Sequence, residues 1–184
     1  MPNYCDYEMK ITGSKKAINR VIECLKADYN YGIGKPAHKH FFRVFECYGD
    51  DEDFVNEGNG VFSKVVWGYC AWSIHSCMLK GESYSYYNTC KNSHPDIFMG
   101  TDLAEQSEDC TIEAFSEEPG IGFSEHYLFK NGVCFIDECV EIEQGGYTKT
   151  GKPTKRINWD TYEGDVITFN PNRIGLEMPY AWVS

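Results

Sequence analysis

Hydrophobic and polar positions first alternate and then switch period along this chain. Tyr4 to Thr12 alternates loosely, is rich in aromatic and β-branched residues, and stops at Gly13-Ser14, which predicts a strand. Ser14 is then placed to cap a helix over Lys15 to Lys26, where Ala17, Ile18, Val21, Ile22 and Leu25 recur at helical spacing. The turn-forming run Tyr31 to Pro36 precedes a second strand, His40 to Tyr48. The acidic stretch Gly49 to Gly60 reads as a surface loop. Val61 to Trp72 reads as a third strand, in which Trp67-Gly68 marks a bulge or a close backbone approach. His75 to Leu79 has the pattern of a helix start, Ser83 to Asn88 fits strand or loop, and Thr101 is placed to cap a short acidic helix through Gln106. Cys110 to Ser116 and Gly122 to Lys130 alternate on either side of a Glu118-Pro119-Gly120 turn. Asn131-Gly132 is a strong hairpin signal, with Val133 to Glu143 as the returning strand. A basic connection and one further strand, Asp165 to Phe169, follow.

This order predicts an α+β fold: an antiparallel sheet with one main amphipathic helix, a ferredoxin-like core over about 1–143 extended by a hairpin meander, and a basic linker and tail over 145–184, all in one domain. The 184 residues suffice for one hydrophobic core, and the 15% aromatic content argues against disorder. No apolar run is long enough to cross a bilayer. Nine scattered cysteines, with no apolar leader pattern near Met1, predict reduced thiols and a cytoplasmic location in a host cell.

The charge adds a direction. Seventeen basic residues against twenty-eight acidic ones give −11, which opposes approach to a nucleic-acid backbone and favours a basic protein surface. Between Lys91 and Lys130 there is no Lys or Arg, while Asp96, Asp102, Glu105, Glu108, Asp109, Glu113, Glu117, Glu118 and Glu125 all fall there. Asp50, Asp51, Glu52, Asp53 and Glu57 form a second acidic cluster. The partner-binding residues expected from these tracts are Asp50, Asp51, Glu52, Asp53, Asp102, Glu105, Glu108, Asp109, Glu117, Glu118 and Glu125. Lys149, Lys152, Lys155 and Arg156 form the chief basic cluster, and in a glycine-bearing segment they suit a mobile arm that touches guide RNA or DNA.

Three segments carry a resemblance: the opening MPNYC with its strand ending in ITG, VVWGYCAW at Val65 to Trp72, and IEAFSEEPGIGFSEHY at Ile112 to Tyr127. Together they resemble the YubB ferredoxin-like family of phage and plasmid accessory proteins, with Tyr4 standing where that family usually has Trp. The family supplies no catalytic residues to carry over. The resemblance implies a mobile-element habitat, in which small acidic proteins often antagonise host defence, anti-CRISPR proteins among them.

The same sequence also offers residues for catalytic and metal chemistry. His38 and His40 share one side of an extended segment, but no Cys-x-x-Cys accompanies them, and neither His75 with Cys77 nor Cys134 with Cys139 has the spacing of a structural site. No metal and no cofactor is expected. An acid/base reading uses His40, His75 or His126 with Glu117, Glu118 or Glu125, in an RNA- or nucleotide-cleaving hydrolase. A further alternative is a dimeric scaffold joined by an exposed aromatic strand. The leading expectation is a non-enzymatic protein that inhibits a nucleic-acid-handling defence complex, most concretely a type II RNA-guided nuclease.

Overall fold

A computed structural model describes residues 4–26, 39–49, 53–80, 86–93, 99–118 and 123–141. Their elements run β1 (Tyr4–Gly13), α1 (Lys15–Lys26), β2 (Val44–Tyr48), β3 (Val55–Gly58), β4 (Val61–Ala71), α2 (Ile74–Met78), α3 (Tyr86–Ser93), α4 (Leu103–Gln106), β5 (Cys110–Glu118), β6 (Phe123–Lys130) and β7 (Val133–Glu141). The strands form one antiparallel sheet in the order β2-β4-β1-β5-β6-β7, with β3 also paired to β4. The predicted α+β class with an antiparallel sheet is therefore observed.

Period-two alternation places Cys5, Tyr7, Met9 and Ile11 of β1 on one face, where they are buried against the apolar stripe Ala17, Ile18, Val21, Ile22 and Leu25 of α1. A twelve-residue helix is marginal by itself in water, so this packing sustains it, at about 1.5–3 kcal/mol for each large aliphatic side chain removed from solvent. Ser14 caps α1 as expected: its Oγ accepts from the Ala17 N–H at 3.1 Å. Ile74, Cys77 and Met78 of α2 and Leu103 of α4 join the same core.

Several boundaries differ from the sequence reading. The stretch expected as an acidic loop contains β3, joined to β4 by Asn59-Gly60 with φ of 53° and 77°. This is the same two-residue hairpin chemistry that Asn131-Gly132 supplies between β6 and β7, at φ of 52° and 75°. The second strand begins at Val44, not His40, because the backbone before it is engaged elsewhere: Phe41 N–H donates to the Cys24 carbonyl and Phe42 N–H to the Cys77 carbonyl. The tyrosine-rich segment enters helix α3 at Tyr86 and packs on α2. Asp102, not Thr101, caps α4, its carboxylate accepting from the Glu105 N–H at 2.7 Å. Thr101 is buried beside it and accepts from Gln106 Nε2 at 2.8 Å. The turn expected over 31–36, the Glu118-Pro119-Gly120 turn beyond Glu118 and the strand expected over Asp165 to Phe169 lie outside the described residues.

Trp67-Gly68 is the close approach that the sequence signalled. Gly68 pairs with Tyr7 on β1 and Cys47 on β2, while β2 carries a register shift between Val44 and Glu46. A Cβ at Gly68 would lie 1.8 Å from the Glu46 carbonyl oxygen and 2.9 Å from the Tyr7 hydroxyl. The gap lets the Tyr7 hydroxyl reach across β4 and donate to that carbonyl at 2.8 Å. Substitution Gly68→Ala is expected to drive β2 off β4 and cost about 3 kcal/mol or more, read as a lowered urea midpoint. An unchanged midpoint would mean that β2 relaxes freely.

Candidate functional site

The sheet face opposite α1 carries a different chemistry from the core. Directly paired residues share a face, so the register aligns Tyr48, Trp67, Glu8, Phe115 and His126 in one row across β2-β4-β1-β5-β6. Next to it run Glu46, Tyr69, Asp6, Glu117 and Ser124. Exposure is graded along these rows. On the β2-β4-β1 side Tyr4, Tyr48 and Trp67 are 60%, 46% and 47% exposed and Glu46 is exposed, whereas Glu8, Phe115 and His126 are buried.

Hydrogen bonds order this surface. The Tyr48 hydroxyl donates to the Glu46 carboxylate, and the Tyr4 ring meets Phe45 edge to face at 5.4 Å. His126 stacks on Phe115 with centroids 4.2 Å apart, and its Nε2 lies 3.1 Å from Glu113 Oε1. Asp6 is held differently. Burial, and then the negative charge of Glu118, push its carboxyl up to about 6. Glu117 and Tyr69 flank it in register, and no described cation pairs with it.

The acidic residues singled out from the sequence do not form one continuous surface. Asp102 is buried as the α4 cap, and Glu118 is buried. Glu125 is buried on the core face, where its carboxylate accepts from Ser116 Oγ at 2.5 Å, Ile74 N–H at 2.8 Å, His75 N–H at 3.3 Å and Tyr127 Oη at 3.3 Å. Burial raises its pKa above the usual carboxylate value against the opposing pull of these bonds. These three carboxylates are corrected from partner contacts to interior groups. Glu105 pairs with Lys39 and, at 3.6 Å, with Lys80. Asp109 receives Arg20 Nη1 at 2.8 Å while Arg20 Nε reaches Gln106 Oε1 at 3.0 Å, and the guanidinium lowers the Asp109 pKa. Glu108 and Asp53 are exposed, and Glu117 is half-buried. Asp50, Asp51, Glu52, Lys149, Lys152, Lys155 and Arg156 lie outside the described residues.

The acid/base grouping is also divided. Glu117 and His126 lie on the open face, whereas Glu118 and Glu125 alternate onto the core face, so the two strands do not gather these four groups around one water or ion. His40 is fully buried against Phe42 with centroids 5.2 Å apart, and half-buried His75 belongs to α2. Among the described residues no three His, Cys, Asp or Glu side chains are arranged to hold a metal. None of the described helices is long and apolar enough to cross a membrane.

Sequence reasoning missed Asp6, Glu46 and Tyr48 as surface candidates, and Glu8 as the buried carboxylate paired with Trp67. The signal was present in CDYEM, where two carboxylates alternate with core residues, but only the register brings them beside Trp67 and Tyr48. No protein-family model, curated protein or solved structure matches the chain, so the resemblance to the YubB family rests on the quoted segments alone.

Two measurements check these assignments. Glu125→Ala orphans four donors, and a loss of roughly 3 kcal/mol in unfolding free energy is expected, with a smaller loss for Glu125→Gln, which keeps one acceptor oxygen. Equal losses would contradict the network. For Asp6 the folded pKa is raised, so its contribution is fully present below the unfolded value of 3.8 and is lost as pH rises through about 6. Asp6→Asn should therefore be more stable than the parent at pH above that value and match it in acid; parallel denaturation midpoints across the range would refute this.

Proposed function

We propose that this chain is a non-enzymatic binding protein that occupies a basic surface built for nucleic acid and blocks it. The observation that carries the proposal is the exposed aromatic group Tyr4, Tyr48 and Trp67 beside Asp6 and Glu46 on one sheet face of a chain with net charge −11. Exposed Trp and Tyr are frequent energetic anchors of interfaces, and surrounding carboxylates select basic partners and speed encounter. This replaces the acidic tract over Asp102 to Glu125 as the principal contact surface, because much of that tract is buried or paired within the chain.

The order β2-β4-β1-β5 supports a finer reading of the fold. With β3 taken as an inserted hairpin arm, it is the strand order of a ferredoxin-like core, and β6-β7 extend the sheet beyond β5. That arrangement is the one the YubB resemblance implies. The most concrete target is a type II RNA-guided nuclease in the host cytoplasm, whose positively charged heteroduplex channel suits an acidic occupant.

The test is direct binding to a purified type II nuclease, with and without guide RNA, followed by competition against its DNA target. Affinity should fall about tenfold or more as salt rises from about 0.05 M to about 0.5 M. Trp67→Ala and Glu46→Lys should each weaken binding, while Glu108→Gln, away from the face, should change it little. Absence of binding would exclude this target, and salt-independent binding would exclude the electrostatic mode.

A further inference from the structure

We infer that Trp67 is the seat for an arginine side chain of the partner, with Asp6 and Glu46 as the carboxylates that receive its guanidinium. This rests on the basic-partner reading above and adds which cation is recognised.

Trp67 lies on a strand flanked by β2 and β1, so its half-exposed ring stands over the sheet and not at a frayed edge. Tyr48 pairs with it on one side and buried Glu8 on the other. Among the described residues no cation and no second ring is seated on it. Asp6 and Glu46 are both register partners of Tyr69, two residues along β4, which places each at one diagonal spacing from Trp67, about 7–8 Å between backbones. A planar group lying on the indole therefore has carboxylates within side-chain reach on both flanking strands.

Arginine fits this arrangement better than lysine. Its guanidinium is flat, weakly hydrated and able to stack while its edge donates to carboxylates in parallel hydrogen bonds. A lysine ammonium is more strongly hydrated and has no plane to match the indole. Both halves of the arginine contact already occur inside the protein: Arg43 lies over Trp72 at 5.0 Å from the ring centroid, and Arg20 makes a forked contact with Asp109. The half-buried Asp6 carboxylate, crowded by Glu118, gains a counter-charge when such a cation docks.

The experiment uses the full chain and two probes of equal charge, hexa-arginine and hexa-lysine, titrated while the Trp67 indole N–H is followed by NMR and assigned with Trp67→Phe. Hexa-arginine should bind about fivefold more tightly and move the Trp67 signal, a preference of the size expected for one exposed cation–π contact. Trp67→Ala should abolish the preference while leaving salt-dependent binding of both peptides, and Asp6→Asn with Glu46→Gln should weaken hexa-arginine more than hexa-lysine. A cooperative urea transition in each variant, with a midpoint no lower than the parent's and, for the variant carrying Asp6→Asn, a higher one above about pH 6, confirms that the fold is intact. Equal affinity for the two peptides, or a preference that survives Trp67→Ala, overturns the arginine seat alone. Failure of both peptides to bind overturns the basic-partner reading together with it.

Discussion

The hydrogen bond from Tyr7 Oη to the Glu46 carbonyl, passing over Gly68, sets the geometry on which the proposed surface depends. At the register shift between Val44 and Glu46, β2 turns that carbonyl over the core face of β4. A buried carbonyl without a donor would cost about 1–3 kcal/mol. The buried phenol of Tyr7 supplies the donor, and burial raises its pKa well above the ordinary tyrosine value, keeping it protonated for this role. Three strands are thereby tied at one point, and the residues of β2 beyond the shift, Glu46 and Tyr48, come into line with Tyr69 and Trp67 on the opposite face.

A second buried polar network continues the same cross-strand row, from Gly68 and Tyr7 through Ser116 to Glu125. Glu125 joins the start of α2 to Ser116 on β5 and Tyr127 on β6, so the short helix is anchored by a carboxylate from the sheet as well as by its own Ser73 cap. Such a group is expensive to bury and is retained here with several donors around it. The consequence for function is indirect: the β4–α2 junction is held on the core side, leaving the opposite face of β4 to display Trp67 and Tyr69.

Charge is divided in the same way. Many acidic side chains in the second half of the chain cap a helix, pair with Arg20, Lys39 or Lys80, or lie inside the sheet. Asp6 and Glu46 remain beside exposed aromatic rings, and this combination, not carboxylate density alone, distinguishes a candidate docking surface from a solvated face.

The sequence by itself determined the elements whose signals are local. Period-two alternation marked β1, β5 and β6, helical spacing and Ser14 marked α1, and Asn131-Gly132 marked the last hairpin, because each depends on backbone and side-chain preferences within a few residues. Asn59-Gly60 was equally legible but was hidden by the acidic composition around it. Tertiary structure decided what the carboxylates do. The bond from Ile74 to Glu125 spans 51 positions, the pairing of Arg20 with Asp109 spans 89, and the alignment of Asp6, Trp67 and Glu46 joins three separate strands, so no local pattern encodes them. The β2 register is the clearest case: one shifted residue changes the face on which every later side chain points, and it is held by long-range contacts, the pairing with β4 and the bond from Tyr7 to Glu46 over Gly68.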